Sequence, residues 1–254
     1  MLDSAELDEF ARDGYVFIDR VVLDQGQLLE ARGLIDSLFE ARQGFSSRLA
    51  TTIGEDEKVL EVMYPMNLEP QLRKLNVVQH CRSIACELLG SRQTWCHFDH
   101  VIYKQPGGGP VAWHQDLAAS RTGWFQRAAH FWIPLHDLAP ESGCMMFVPG
   151  SHRGDLYEHV HHPGAGGVQI KMTDKSREAT IATEEKSGGF DYVTKVLPLG
   201  GFSVHTPRTL HASAPNQGDE LRKAWILQFG TGPASAAREL GRRTLAISAR
   251  RKAH

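Results

Sequence analysis

From about residue 94 the chain becomes a succession of short β-branched and aromatic runs punctuated by glycine and proline. These are Val101-Ile102-Tyr103, Ala129-His130-Phe131-Trp132-Ile133, Cys144-Met145-Met146-Phe147-Val148, Phe202-Ser203-Val204 and Ala224-Trp225-Ile226-Leu227-Gln228-Phe229. Many short strands separated by turn residues predict an antiparallel sandwich or barrel. Strand–helix alternation is missing from this region, which argues against a Rossmann-type parallel sheet.

The N-terminal third reads differently. Ser4 is placed to cap a helix over Ala5–Asp13 that Gly14 ends. Tyr15-Val16-Phe17-Ile18 is a short strand. Over 24–43, Leu28, Leu29, Leu34, Ile35, Leu38 and Phe39 share one side of a helix, with Gly44 as its stop. A further helix is predicted over 71–89, ending before Gly90. The stretch 151–195 is rich in glycine, histidine and charge and has no clear period. It reads as a long insertion over one end of the barrel, and loops of that length are often lids or binding loops. No repeat or linker divides the chain. One domain of 1–254 is expected: a helical part over about 1–92, a β core over about 93–232, and a lid-like insertion over about 154–195.

Lys and Arg total 28 against 30 Asp and Glu, a net charge of -2. That balance gives no general pull toward nucleic acid or a membrane surface. No apolar run reaches the roughly 18 residues a membrane helix needs. The acidic N-terminus lacks the basic and apolar regions of a signal peptide. Cys81, Cys86, Cys96 and Cys144 are too few for a disulfide scaffold, so a cytoplasmic protein is the default. The 13 histidines make a metal the first functional question.

The sharpest motif is Trp113-His114-Gln115-Asp116. On a strand, residues two apart face the same way, so His114 and Asp116 can converge on one ion. His211 is the best third ligand, with His205 as its competitor; Pro207 interrupts the strand between them. Two histidines and a carboxylate on one face of an ion leave its other positions open, as non-haem Fe(II) oxygenases require. Arg222 opens the run that follows. An antiparallel neighbour would bring it beside the His211 strand, where its guanidinium suits the far end of a dicarboxylate. A surface arginine in a charged hairpin is the plainer alternative for that residue alone.

Taken in order, these segments resemble the phytanoyl-CoA dioxygenase family of Fe(II)/2-oxoglutarate-dependent oxygenases. The landmarks are Phe10–Val16, Val101–Lys104, His114-Gln115-Asp116, Phe131–Leu135, Glu141-Ser142-Gly143 through Pro149-Gly150-Ser151-His152, and His211-Ala212-Ser213 with Pro215-Asn216 and Arg222. Ser142 stands where the family usually has Asn, and Gly200-Gly201 where Gly-Asp is common. Residues 152–195 align with nothing. The resemblance covers about residues 5–230 and implies a mainly β protein with N-terminal helices and a double-stranded β-helix (jelly-roll, cupin-like) core. It implies Fe(II) on His114, Asp116 and His211. It implies 2-oxoglutarate on Arg222 and Ser213, with Lys104 adding positive charge and Trp132 bordering the cosubstrate. O₂ and 2-oxoglutarate would become succinate and CO₂ while a C–H bond of a small organic metabolite is oxidised, most simply hydroxylated. Desaturation, epoxidation, ring formation and rearrangement stay open, as does the substrate. The runner-up is a cupin-like binding or regulatory protein with a metal but no turnover.

Several other residues were candidates. Cys96-His97-Phe98-Asp99-His100 holds soft and imidazole ligands, but a structural zinc site needs four closed ligands and no second pair lies nearby. His97 and Asp99 are expected to face the pocket instead. His159, His161 and His162 read as solvated loop, Trp124 and Phe125 as pocket wall, and Met145-Met146-Phe147 as core. Gln115 should face away from the metal.

Overall fold

The computed structural model describes residues 1–45, 49–53, 58–119, 127–157, 159–161, 168–170 and 190–251. Helix α1 (Ser4–Asp13) starts one residue earlier than expected because Asp3, not Ser4, caps it. The Asp3 carboxylate accepts from the Glu6 amide at 2.9 Å, and the Glu6 carboxylate accepts from the Asp3 amide at 2.8 Å. This reciprocal pair satisfies N–H groups that a helix start leaves free. Strand β1 (Tyr15–Ile18) follows Gly14. Helix α2 (Gln25–Ala41) buries Leu28, Ala31, Ile35 and Phe39 at spacings of three and four. Leu29, expected on that face, is 42% exposed, since one residue is about 100° of turn. The chain passes Gly44 in a 3-10 turn over Arg42–Gly44.

The helical reading of the N-terminal third fails at β2 (Ala50–Ile53) and β3 (Val59–Met63), an antiparallel pair at the edge of the main sheet. Thr51, Thr52 and Glu61 interrupt the apolar run, so no strand signal stood out. A one-turn helix α3 (Pro65–Leu68) and a 3-10 segment (Pro70–Lys74) precede α4 (Asn76–Leu88). The single helix expected over 71–89 is broken at Leu75, whose extended backbone (φ -65°, ψ 133°) interrupts the helical turn.

The β core comprises β4 (Trp95–Lys104), β5 (Val111–His114), the single turn α5 (Asp116–Ala119), β6 (Ala128–Pro134), β7 (Met145–Phe147), β8 (His159–His161), β9 (Val168–Ile170), β10 (Val193–Thr194), β11 (Phe202–His205), β12 (His211–Ser213) and β13 (Arg222–Gly230). Helix α6 (Gly232–Arg251) closes it. Seven strands form one antiparallel sheet in the order β1-β11-β6-β13-β4-β3-β2, and four form a second, β10-β7-β12-β5. Strands β8 and β9 form a separate hairpin. The fold is the expected jelly roll.

Strand alternation sorts the side chains of the large sheet into two layers. Trp225, Leu227 and Phe229 of β13, Phe131 and Ile133 of β6, and Val101 and Tyr103 of β4 pack with Leu28, Ile35, Cys81 and Ile84 of the helices. Trp132, Ala224 and Ile226 point the other way, into a second cluster with Tyr15, Phe17, Met145 and Phe147 between the sheets. All of β6 is buried, so its polar interior residue His130 sits inside an unbroken apolar run. Among the described residues, no helix is long and apolar enough to cross a membrane.

One turn residue is fixed by conformation and space together. Gly143 has φ 77°, and a Cβ there would lie 2.6 Å from the Ala214 carbonyl oxygen. Gly143→Ala is expected to lose about 1–3 kcal/mol. Thermal unfolding should show this as a midpoint lowered by about 2–4 °C per kcal/mol. An unchanged midpoint would show that the turn relaxes freely.

Candidate active site

Strand β5 ends at His114, and Asp116 is the first residue of α5. The expected pair two apart on one strand is therefore a strand end followed by a turn, with the same convergence. His211 on β12 is the cross-strand partner of His114. One donor atom each from His114, Asp116 and His211 lies within 4.8 Å of the others. His114 Nε2 is 3.5 Å and His211 Nε2 3.7 Å from Asp116 Oδ1.

The neighbouring carbonyls set the tautomers. His114 Nδ1 lies 2.8 Å from the Ala112 carbonyl, and His211 Nδ1 2.9 Å from that of Thr209. A carbonyl only accepts, so each Nδ1 carries a proton, and in the neutral ring that can bind a metal each Nε2 presents its lone pair. Three electron-rich atoms thus face one another, an arrangement that a cation would stabilise. Burial, reinforced by neighbouring His114 and His205, pushes His211 well below the usual histidine range, which favours the neutral ligand form. Burial would raise the Asp116 carboxyl, but the surrounding imidazoles, His211 first among them, outweigh it and hold the group well below the ordinary range.

The other carboxylate oxygen is served by His130, which the sequence reading did not single out, and by His205, the competitor of His211. His130 Nδ1 donates to Asp116 Oδ2 at 2.6 Å, and His205 Nε2 donates to the same atom at 3.2 Å. Asp116, His130 and His205 also cluster closely enough to hold an ion, but the ionised carboxylate accounts for both donors. His205 thus stands on the Oδ2 side and His211 on the Oδ1 side. The signal for His130 was its place two residues from Trp132 in a strand, which puts both on the interior face.

These groups open on a cavity of about 230 Å³ whose wall includes His114, Asp116, Trp132, His211, Ser213 and Arg222. Arg222 is 1% exposed. Its Nη1 donates to the Gly143 carbonyl at 3.1 Å, its Nε has no partner, and its guanidinium lies 5.3 Å over the Trp132 ring. Among the described residues no carboxylate pairs with it. Burial pushes it down to about 10, so it stays cationic at neutral pH. An uncompensated buried charge is costly, and a carboxylate ligand would supply the missing partner. Arg222 does not sit beside β12 as expected: β13 is in the large sheet and β12 in the small one, so it faces His211 across the interior. Its register partner is Lys104. Lys104 is fully buried behind Ser213, donating to Ser213 Oγ at 3.0 Å and to the Ala214 carbonyl at 2.6 Å. It reaches the cavity through Ser213 and is not itself part of the wall.

One expectation is corrected. His97 and Asp99 do not line the cavity. Asp99 has the parity of Val101 and Tyr103, and its Oδ2 accepts from the Met66 amide at 2.9 Å, while His97 stands at a shift in the β4–β13 register with its ring 6.2 Å from that of His130. His100 and Ile102, of opposite parity to Asp99, line the cavity. Met145 is core, as expected, and its side chain also borders the cavity. Gln115 is fully buried and ties loops together: it donates to the Arg208 carbonyl at 2.8 Å and the Asp155 carbonyl at 3.3 Å, and accepts from the Tyr157 amide at 2.9 Å. Among the described residues no metal-ligand group includes Cys96. Trp124, Phe125, His162 and most of the 154–195 insertion lie outside the described residues. The insertion's returning end does not sit at the cavity: Phe190 and Tyr192 pack on Trp113, beside Leu210 and Ala212.

A family model described as phytanoyl-CoA dioxygenase (PhyH) matches residues 10–224. A probable alpha-ketoglutarate-dependent hypophosphite dioxygenase of Stutzerimonas stutzeri is 29% identical over 140 residues, 54% of this chain and 46% of that protein. Phytanoyl-CoA dioxygenase domain-containing protein 1 of Bos taurus is 43% identical over 129 residues, 50% of this chain and 42% of that protein. The matches thus span less than half the length of these two relatives. Among solved structures, EvdO2 of Micromonospora carbonacea var. aurantiaca, complexed with 2-oxoglutarate, superposes with a TM-score of 0.70 at 26% identity, covering 92% of each chain. The non-heme alpha ketoglutarate dependent carbocyclase SnoK from nogalamycin biosynthesis superposes with a TM-score of 0.71 at 25% identity, covering 90% of this chain and 84% of its own.

Proposed function

The chain belongs to the phytanoyl-CoA dioxygenase family of iron- and 2-oxoglutarate-dependent oxygenases, and on that premise we propose that it oxidises a C–H bond of a small organic molecule while 2-oxoglutarate and O₂ become succinate and CO₂. One observation carries the reading: a fully buried arginine, without an acid partner among the described residues, shares a cavity with three converging atoms able to hold a metal. The donor set fits Fe(II), with His114, Asp116 and His211 as its ligands. Iron bound there supplies the redox chemistry that couples decarboxylation of 2-oxoglutarate to substrate oxidation.

This chain's residues supply orientation and charge. The Ala112 and Thr209 carbonyls hold the two imidazoles with Nε2 inward. Arg222 pairs with the distal carboxylate of 2-oxoglutarate, Ser213 adds a hydroxyl, and Lys104 behind it strengthens the positive field. Trp132 forms the wall that excludes water beside them. A compact free metabolite is favoured over an acyl-CoA because the chain, with a net charge of -2, shows no basic cluster suited to CoA. Hydroxylation is the simplest outcome. Loading the protein anaerobically with Fe(II), then adding 2-oxoglutarate, O₂ and a metabolite panel, tests the proposal. Substrate-dependent succinate, read by mass spectrometry, is expected. Bound 2-oxoglutarate without succinate would leave a binding protein.

His130 is a positioning residue in this reading, because its bond to Oδ2 turns Oδ1 toward the ion. His130→Leu should weaken iron binding about 10–100-fold, the usual effect of removing a partner behind a ligand. His130→Gln, whose amide can still donate, should restore much of it. Iron titration followed by metal analysis reads this without turnover, and equal affinity in all three proteins would remove His130 from the role.

A further inference from the structure

We propose that Glu61 and His100 form the substrate-recognition element of this cavity, and that the substrate is a compact, uncharged molecule presenting a hydroxyl group to His100 Nε2. The inference rests on the oxygenase reading and adds the chemical class of its substrate. Both residues line the cavity. Glu61 is 6% exposed, and its Oε1 lies 2.5 Å from His100 Nδ1. Neither residue belongs to the metal and carboxylate end.

The sheet register places the pair. Glu61 on β3 is opposite Ile102 on β4, and Met63 is opposite His100, so Glu61 and His100 are diagonal neighbours on one face. On β13, Arg222 is level with Lys104 and Ile226 with His100. Four residues along β4 carry His100 roughly 13 Å from the Lys104 level, and β3 lies two strands, roughly 10 Å, from β13. The pair therefore stands to one side of the line from Arg222 to the ligand cluster, where a second molecule would lie beside 2-oxoglutarate. Met63, Ile102 and Ile226 adjoin the pair in the sheet register and line the cavity with it. The backbone ladder already joins β3 and β4 over five residue pairs, so the strands need no side-chain staple there.

The ligand's chemistry follows from the carboxylate. Glu61 accepts from Nδ1–H, which fixes the ring and leaves Nε2 for the cavity. With a neutral ring Nε2 accepts a hydrogen bond; with a charged ring it donates one. A hydroxyl satisfies either state. An ammonium suits only the neutral ring and a ketone only the charged one. A carboxylate or phosphate would also bring a second negative charge beside Glu61.

Protein loaded with zinc(II) as a redox-inert stand-in and with 2-oxoglutarate would be titrated with four probes on one ring: cyclohexanol, cyclohexylamine, cyclohexanone and cyclohexanecarboxylate. Binding would be read by ligand-observed NMR. Cyclohexanol is expected to bind tightest. His100→Leu should weaken it about tenfold or more, His100→Gln should retain most of its binding, and Glu61→Gln should admit the carboxylate better than wild type does. 2-Oxoglutarate affinity, measured separately, should be unchanged in all three variants. No preference for cyclohexanol, no probe binding at all, or an unaffected His100→Leu would overturn the assignment while leaving the oxygenase reading intact. Failure of the wild-type protein to bind 2-oxoglutarate would overturn both.

Discussion

Asp116→Ala should abolish succinate formation and strip the protein of most of its iron. In the proposed site the carboxylate would provide the negative ligand atom, Oδ1, beside two neutral imidazoles, and its loss should exceed the about 10–100-fold effect of disturbing a group behind a ligand. The same change removes the acceptor of the buried His130 and His205 donors. A buried donor without a partner costs about 1–3 kcal/mol, so the variant should also unfold at lower temperature. Asp116→Asn separates the two effects: its amide oxygen can still accept from one of these donors, while its charge is gone. It should regain stability without regaining turnover. Succinate by mass spectrometry, iron content by metal analysis and thermal unfolding check the three parts. Near wild-type turnover in iron-reconstituted Asp116→Ala would exclude this carboxylate from the chemistry.

Arg222→Ala should raise the apparent KM for 2-oxoglutarate by about 30-fold to several thousand-fold. That range is the about 2–5 kcal/mol lost when one partner of a buried, hydrogen-bonded charge pair is deleted. The iron ligands stay in place, so metal content should not change. Arg222→Lys should recover only part, since an ammonium offers neither the fork nor the flat face that rests over Trp132. Steady-state turnover against 2-oxoglutarate concentration reads the effect. An unchanged KM in Arg222→Ala would assign the carboxylate to another cation, with Lys104 the first to test.

The residues that sequence reading found are those whose meaning is local or motif-borne. His114 and Asp116 stand two apart, and His211 and Arg222 stand in segments with their own order. The β core was legible because turn residues bound each run. The edge hairpin β2–β3 was not, because Thr51, Thr52 and the buried Glu61 break the apolar alternation of its short strands. Burial on both sides hid the alternation of β6 and with it the inward aim of His130. Assigning Asp99 to the cavity chose the wrong parity, because strand β4 carries useful polar groups on both faces and nothing local says which face is which; at His97 the register shifts, which no sequence pattern announces. Glu61 and His100 meet only through the β3–β4 register, 39 residues apart in the chain, and no short motif encodes such a pair.

Gln115 sits between two proposed iron ligands, yet the bonds described above reach only main-chain atoms, of Arg208, Asp155 and Tyr157. Side-chain identity at 155 and 157 is therefore not read by that amide. The fastening works like a standard socket: whatever sequence follows can be exchanged as a cassette, provided its first residues present a carbonyl and an N–H at the same points. Segments of different sequence could thus follow the same anchor while the residues on either side of Gln115 keep their places.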